Sequence, residues 1–436
     1  MNIAIFTDAF YPQINGVVTS IMSIAENMTK RGHKVVVVAP KYGRIEVFWH
    51  PKIKIKRVPS IPAKFYDDFR WTALVSKSTY KMMKKEEIDI VHFMTPVTVS
   101  YLGIKMARKL NLPVVGTFHT FITDPAYYEQ LFSGIIKATE EGAWNYTNLY
   151  YNAADYVTAP TQKAVDIIKK HKCTVPIEAI SNGIDISTFK NAKHSKFSKK
   201  YNLKDKVILY VGRVSQEKNI FLLIESFFMV QHKHPDAQLL IVGTGPQIKE
   251  VEKFVSQKSD KKSIIITGAI PHNELIKSGV FRSAALFATA SETETQGITV
   301  LEAQANGLIC VGVKAGGLPD LIEHNVTGYM CKPGDVKQIA KSIIRVLDGG
   351  KEHAKMKENI RDALKKHDMK LVINRWEELY STLIRDKKSG KIPHKDYLHL
   401  KQILYLSRQL KIDFSTPKNR IKKIAKFPFI FLTGRK

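Results

Sequence analysis

The densest chemistry in this 436-residue chain lies at residues 291–307, SETETQGITVLEAQANG, where Glu294 and Glu302 stand eight positions apart. Glu294 sits in a polar loop and Glu302 in the apolar-periodic segment behind it, so the spacing predicts a helix over 297–306. A helix start leaves backbone N–H groups without intrahelical partners, here those of Thr295, Gln296 and Gly297, and they can take an anion or an oxygen-rich ligand. A carboxylate beside them orients hydroxyl groups, as sugar binding requires, although a capping acid followed by a solvated glutamate has the same spacing. Residues 211–219, VGRVSQEKN, place Arg213 and Lys218 just past an apolar run. Two cations on one loop suit a diphosphate, because arginine binds phosphate bidentately and lysine adds a point charge. Residues 8–16, DAFYPQING, join another apolar run to a helix expected from Val17. Gly16 there would let the backbone approach a phosphate closely, and a turn or helix cap is the plain alternative. His119 ends a further run at 113–118, a position equally natural for a hydrogen-bonded structural histidine.

Strands and helices must hold these residues. Apolar runs predict strands at 2–7, 34–39, 89–93, 113–118, 156–159 and 178–180, with helices at 17–31, 94–110 and 161–171 between them. After a polar linker at 188–205 the series resumes, with strands at 207–212, 237–242, 263–267, 284–288 and 308–313 and helices at 219–234, 246–256, 297–306 and 335–347. Such alternation predicts parallel sheets covered by helices on both faces. The expected architecture is two doubly wound Rossmann-like α/β domains, at 1–190 and 191–368. An amphipathic helix at 369–385 follows, with Leu371, Trp376, Leu379 and Leu383 on one side to pack back on the first domain, and then a basic amphipathic tail at 386–436. Ligands of such sheets bind outside the carboxyl ends of the strands, which makes a cleft between the domains the expected site.

Composition narrows the classes. A hydrophobic fraction of 44% supports sizeable cores and excludes disorder for most of the chain. No apolar run approaches the ~18 to 20 residues of a membrane-spanning helix. The N-terminus goes straight into an apolar run without a basic region, so no secretory signal is expected. Cys173, Cys310 and Cys331 are odd in number and far apart, which excludes a disulfide framework and a CxxC metal site, and the cytoplasm is the expected compartment. The net charge of +28 steers the chain toward anionic partners, and residues 386–436 alone hold 14 basic against 3 acidic side chains.

Several stretches in order resemble the retaining nucleotide-sugar glycosyltransferases of GT-B fold, family 4, across roughly residues 1–385: NGVVTS at 15–20, HT at 119–120, SNGID at 181–185, GRVSQEKN at 212–219, VGTGP at 242–246, ETETQGITVLEA at 292–303 and GGLPDLI at 316–322. The resemblance implies that Glu294, with the amides of Thr295, Gln296 and Gly297, holds the hydroxyls of the transferred sugar, and that Glu302 holds the ribose of the nucleotide. It implies that Arg213 and Lys218 neutralise the diphosphate, that Gly16 and Val17 cover it, and that His119 stands near the reacting centre. Fixed cations suit the chemistry, since breaking the anomeric C–O bond leaves negative charge on the departing diphosphate. Retention is expected through front-face attack, with no protein nucleophile, no bound metal and no cofactor beyond the nucleotide-sugar substrate. The chain departs from the family pattern at Ala290, where Pro is common, at Asp320, where Glu is common, and at Gln296, where an EGFG-like loop has Phe. With DAFYPQINGVVTS at 8–20, the TETQG variant looks most like the branch that glucosylates 1,2-diacylglycerol. Glucose transfer from UDP-glucose to that lipid, giving alpha-monoglucosyldiacylglycerol, is therefore the expected reaction.

A lipid acceptor agrees with basic and apolar side chains set side by side. KIKIKR at 52–57, a helix expected at 71–85 with Lys77, Lys81, Lys84 and Lys85 beside Trp71, Leu74, Met82 and Met83, and PKNRIKKIAKF at 417–427 are what a segment lying on anionic lipid displays. Tyr127, Tyr128, Phe132, Trp144, Tyr146, Tyr150 and Tyr151 are candidates for an acyl-chain entrance, or else a tyrosine-rich core. The expected location is peripheral, at the inner face of the cell membrane. Rival readings are a transferase using GDP-mannose on a phosphoinositide, one with a soluble acceptor, a catalytically dead scaffold of the same fold, and a basic nucleic-acid-binding protein, the last without any recognisable nucleic-acid motif.

Overall fold

The computed structural model describes residues 1–13, 15–43, 50–62, 70–72, 74, 76–121, 140–189, 194–258 and 263–395. It divides into two compact units. The first holds Met1–Pro160, Ala164–Ile180 and the described residues from Ile373 onward, and the second holds Thr161–Lys163 and Ser181–Val372.

In the first unit seven parallel strands run in the order β3 (Lys54–Val58), β2 (Lys34–Pro40), β1 (Asn2–Phe6), β6 (Ile90–Phe93), β7 (Val114–Thr117), β8 (Tyr156–Ala159) and β9 (Ile177–Ala179). The central strands are apolar and buried along their length, because helices cover both faces. A short antiparallel pair, β4 (Ser60–Pro62) and β5 (Arg70–Thr72), stands apart from this sheet. The second unit has six parallel strands in the order β12 (Ile264–Gly268), β11 (Gln238–Val242), β10 (Val207–Val211), β13 (Leu286–Ala288), β14 (Ile309–Val313) and β15 (Gly328–Cys331). Each sheet reverses its strand order once, between β1 and β6 and between β10 and β13, so each unit is doubly wound and has one switch point. Each sheet is surrounded by its own apolar core.

The expected strands are present, and the departures have local causes. The helix expected at 94–110 is Thr98–Lys109, because Asp8, arriving from the loop after β1, accepts from the Val99 amide at 2.7 Å and the Thr98 hydroxyl at 2.9 Å and so caps it from outside. The helix expected at 71–85 is Lys77–Lys85, capped by the Ser76 side chain on Thr79, while Trp71 lies in β5. Within the polar stretch at 188–205 the helix His194–Tyr201 forms, and Ser181–Phe189, expected with the first domain, belong to the second unit. Backbone bonds explain that assignment: the Ile184 amide donates to His367 at 2.8 Å and the Met369 amide to Ile184 at 3.1 Å.

Leu371 is 55% exposed and does not share the buried face of helix Met369–Lys388. The buried apolar positions are Val372, Ile373, Trp376, Leu379, Tyr380 and Leu383, with Val372, Trp376, Leu379 and Leu383 in an i, i+4, i+7, i+11 stripe, and Leu371 lies five residues before Trp376, about 140° around the helix from it. In the first unit Tyr380 and Trp376 pack on His92 of β6, with the Tyr380 hydroxyl 2.7 Å from Nδ1. Among the described residues no helix is long and apolar enough to cross a membrane.

Candidate active site

The second unit's switch point separates the loops that leave β10 and β13, and these carry Arg213, Lys218 and Glu294. Past β10 a single 3-10 turn, Gln216–Lys218, ends at Asn219 in the left-handed region (φ 51°, ψ 43°), from which helix Ile220–Lys233 departs. That turn aims Lys218 across to the loop after β13, where its Nζ lies 2.6 Å from Glu294 Oε1 and 3.4 Å from Ser291 Oγ. Asn219 ties the same two loops, its Nδ2 donating to the Ala290 carbonyl at 3.2 Å and to Glu292 Oε1 at 3.0 Å. Lys218 and Glu294 keep 14% and 24% of their side-chain surface, so the pair is shielded yet open on one side. Lys218 is thus paired to the carboxylate, and the carbonyl of Arg213 accepts from the Tyr210 hydroxyl at 2.9 Å.

Glycines explain two of the motifs. The VGTGP loop lies against the loop after β10, with the Val214 amide donating to Thr244 at 2.9 Å, and a Cβ on Gly243 would fall 1.8 Å from the Gly212 carbonyl. In GGLPDLI, Gly317 donates its N–H to the Glu294 carbonyl at 2.6 Å, and a Cβ there would fall 2.1 Å from the Thr295 carbonyl. Both glycines let neighbouring loops touch backbone to backbone, which fixes the segments carrying Arg213 and Glu294. Thr161 adds a bond from its hydroxyl to the Thr295 carbonyl at 2.8 Å.

Gln296 is 1% exposed, and its side chain turns to SNGID, accepting from the Asn182 amide at 2.9 Å and donating to Ser181 at 2.8 Å. Its side chain thus braces the loop, leaving only its backbone beside Glu294. Gly297 caps helix Ile298–Ala305 with φ 88°. Glu302, inside that helix, is 2% exposed, and its Oε1 meets Nε2 of His272 at 2.5 Å. His272 and the bracing roles of Asn219 and Thr161 escape sequence reasoning, because their partners lie 30 to 134 residues away. The only available signal for His272 was its place past an apolar run that reads as a strand.

The remaining candidates belong to the first unit. Gly16 is the exposed first residue of helix Gly16–Lys30, where the Asn15 side chain accepts from the Val18 amide at 3.0 Å; Val17 is half-buried. His119 follows β7, and burial pushes its imidazole down to about 4, so the ring is neutral near pH 7. Asp8 stands between the loops after β1 and β6, also accepting from the Thr95 hydroxyl at 3.0 Å, and burial raises its carboxyl to about 6 against these hydrogen bonds.

Two lipid-facing expectations change. The Lys77–Lys85 helix exposes its four lysines but buries Met82 and Met83, with Leu74 also in the core, so its apolar face is core. In KIKIKR, Arg57 points inward, donating to the carbonyls of Pro40 at 3.0 Å and Tyr11 at 2.9 Å, and Lys54 is 2.5 Å from Glu86. Tyr150 and Tyr151 are 0% and 1% exposed, and Trp144 lies stacked on His171, which makes them core side chains; Tyr127, Tyr128 and Phe132 lie outside the described residues.

Two units, each a parallel sheet with a single switch point, are the architecture of the GT-B fold. Residues 14–188 match the family model "Glycosyltransferase Family 4" and residues 191–363 match "Glycosyl transferases group 1". The chain belongs to glycosyltransferase family 4, and it is a retaining hexosyltransferase. Alpha-monoglucosyldiacylglycerol synthases of Streptococcus pneumoniae and Acholeplasma laidlawii are each 28% identical to it, over 76% of this chain and 75% of the first, and over 91% and 100% for the second. A GDP-mannose-dependent alpha-mannosyltransferase of Corynebacterium glutamicum is 25% identical over 97% of this chain and 94% of its own. Among solved structures, Anabaena HepE in complex with UDP and glucose superposes with a TM-score of 0.71 at 19% identity, covering 88% of this chain and 100% of that one.

Proposed function

We propose that this enzyme transfers glucose from UDP-glucose to 1,2-diacylglycerol at an anionic membrane surface, giving alpha-monoglucosyldiacylglycerol with retention. The observation that carries the reading is the Lys218–Glu294 pair at 2.6 Å, which joins a phosphate-binding type of group to a hydroxyl-binding one at the carboxyl ends of β10 and β13. In the reaction Glu294 and the backbone of Thr295, Gln296 and Gly297 hold the sugar, Glu302 the ribose, and Arg213 and Lys218 the diphosphate. As the anomeric bond breaks, negative charge grows on the β-phosphate oxygen that leaves the sugar carbon, and cations already fixed beside the diphosphate stabilise the transition state more than the bound substrate. Gly16 and Val17 cover the phosphates, and neutral His119 orients hydroxyls near the reacting carbon. The leaving phosphate accepts the acceptor's proton on the same face, so configuration is retained without a protein nucleophile.

The acceptor is argued from the relatives that make a glucosyldiacylglycerol, from the exposed lysines of helix Lys77–Lys85, and from the charge of 386–436, whose residues beyond 395 lie outside the described ones. The relative that depends on GDP-mannose favours a second reading, mannosyl transfer. One assay decides. Purified enzyme is given radiolabelled UDP-glucose or GDP-mannose with mixed micelles of diacylglycerol and anionic phospholipid, and the lipid is extracted. Glucose label in the organic phase, lost in Glu294→Ala and Arg213→Ala, is the expected result. Label only from GDP-mannose replaces the donor, and UDP release with a water-soluble acceptor alone removes the lipid. For the tail, protein lacking 386–436 is expected to lose association with anionic vesicles; equal association by the shortened chain would discard the anchor.

A further inference from the structure

His272 opens the short helix His272–Ser278 just past β12, and 30 residues separate it from the carboxylate it meets. Glu302 gives that imidazole one oxygen, Oε1, while its other oxygen, Oε2, is buried and has no hydrogen-bond partner. The ring itself keeps 37% of its side-chain surface, so the pair is buried on the carboxylate side and open on the imidazole side. An ionised carboxylate has about four acceptor positions, and a buried oxygen without a donor is costly enough to be rare in folded proteins. A plain staple between two helices would use both oxygens or leave the second in water. Here the second is kept dry, next to an imidazole that is itself partly exposed. Burial lowers the imidazole's pKa and the Glu302 carboxylate raises it, with a net upward shift, in keeping with a ring that donates to that carboxylate.

We propose that His272 is a positioning residue for the nucleotide, holding Glu302 by Oε1 so that Oε2 meets the ribose hydroxyls of a nucleoside diphosphate. This rests on the reading of Glu302 as the ribose carboxylate. The imidazole fixes the rotation of the carboxylate, and the ribose diol supplies the donor that the protein does not. Phosphate recognition, which belongs to Arg213 and Lys218, is independent of it.

The test is calorimetric binding to the full chain of UDP and GDP, of the 2′,3′-dideoxy form of whichever binds, and of pyrophosphate. His272→Phe is expected to weaken the ribonucleotide about tenfold, as loss of one hydrogen bond to a charged group does. The dideoxy nucleotide and pyrophosphate should bind the variant as they bind wild type. His272→Gln, whose amide can still donate to Oε1, should restore most of the affinity, and it serves as the folded control should the Phe variant lose stability. Equal losses for the ribo and dideoxy forms, or no loss at all, overturn the role of His272. Wild-type protein that binds both forms equally removes the reading of Glu302 as well, and wild-type protein that binds neither nucleotide removes the donor site altogether.

Discussion

The two switch points of this protein are built to the same plan and finished with opposite chemistry. At the second unit's, the loops after β10 and β13 are joined by a partly open ion pair, Lys218 with Glu294, and by the amide of Asn219. At the first unit's, the loops after β1 and β6 are joined by Asp8, 1% exposed, wrapped in two threonine hydroxyls and the Val99 amide. One junction leaves charge where a ligand can reach it, and the other hides its charge so completely that the carboxyl is pushed up to about 6. On the proposed function, the open junction offers a cation and a carboxylate to a nucleotide-sugar donor, while Asp8 serves to hold the loops after β1 and β6 together. Strand order alone does not distinguish them.

The largest test is to break the open junction. Glu294→Ala and Lys218→Ala are each expected to lower kcat/KM about a thousandfold, in the range found for groups that stabilise transition-state charge. The double variant should be little worse than the more damaged single one, because the two act as a unit. Folding stability should change little by comparison, which thermal denaturation alongside the kinetics will check. Strictly multiplicative losses would mean the pair is not a unit.

Next comes the backbone contact that carries Glu294. A methyl group on Gly317 would stand 2.1 Å from the Thr295 carbonyl, so Gly317→Ala must push the two loops apart. A loss of about 2 to 4 kcal/mol in unfolding free energy is expected, typical of a severe packing or backbone clash. Gly349→Ala is the control for composition, since nothing lies within 4 Å of a Cβ there, although its φ of 72° is itself strained. Gly317 itself has φ −89°, where an alanine is unstrained, so a loss there measures the loop contact and a loss in Gly349→Ala measures only left-handed backbone; an unchanged stability in Gly317→Ala would show that the loops give way to the added methyl group.

The hidden junction is tested by pH. Asp8 has its carboxyl raised from 3.8 to about 6 in the folded protein. Between those values the unfolded chain releases the proton and the folded one keeps it, so stability falls as pH rises through that window and levels off above it. The loss amounts to about 3 kcal/mol at most for this shift. Asp8→Asn removes that dependence, so its stability relative to wild type should improve between pH 4 and pH 6.5 in urea denaturation. A relative stability that stays flat over the same interval would show that Asp8 titrates normally.

How far the sequence carried these contrasts depends on whether the partner is local. Strands such as β2, KVVVVAP, announce themselves as unbroken apolar runs because both faces are covered. Lys218 and Glu294 could be picked out by residue type and by the motifs around them, 76 residues apart, but not their direct pairing. The shortened helix Thr98–Lys109 could not be foreseen, since its cap is a side chain 90 residues away. Leu371 was misassigned because several apolar residues in one helix suggest a face, while only their angular spacing defines it. His272 stayed hidden for the same reason as Asp8: a single polar residue says nothing until its buried partner is known.

The smallest expected effect separates the basic residues that looked alike. Arg57 lies over the rings of Phe10 and Tyr42, with centroids at 5.6 and 5.9 Å, and holds the carbonyls of Tyr11 and Pro40, so it braces the loop that leads to Gly16. Burial lowers its pKa, as expected for a half-buried cation. Arg57→Ala should cost about 1 to 3 kcal/mol of stability through the two carbonyls it leaves without their donor. Lys77, Lys81, Lys84 and Lys85 are exposed on one helix, and changing any one of them to Gln should move stability by no more than about 0.5 kcal/mol. On the proposed membrane surface each of them would add about 1 kcal/mol to attraction for anionic lipid. The fourfold Gln variant should therefore sediment less with anionic vesicles at low salt and equally little at high salt, while Arg57→Ala binds the vesicles as wild type does. Reduced vesicle binding by Arg57→Ala in a fully folded sample would show that the inward and outward cations are not divided in this way.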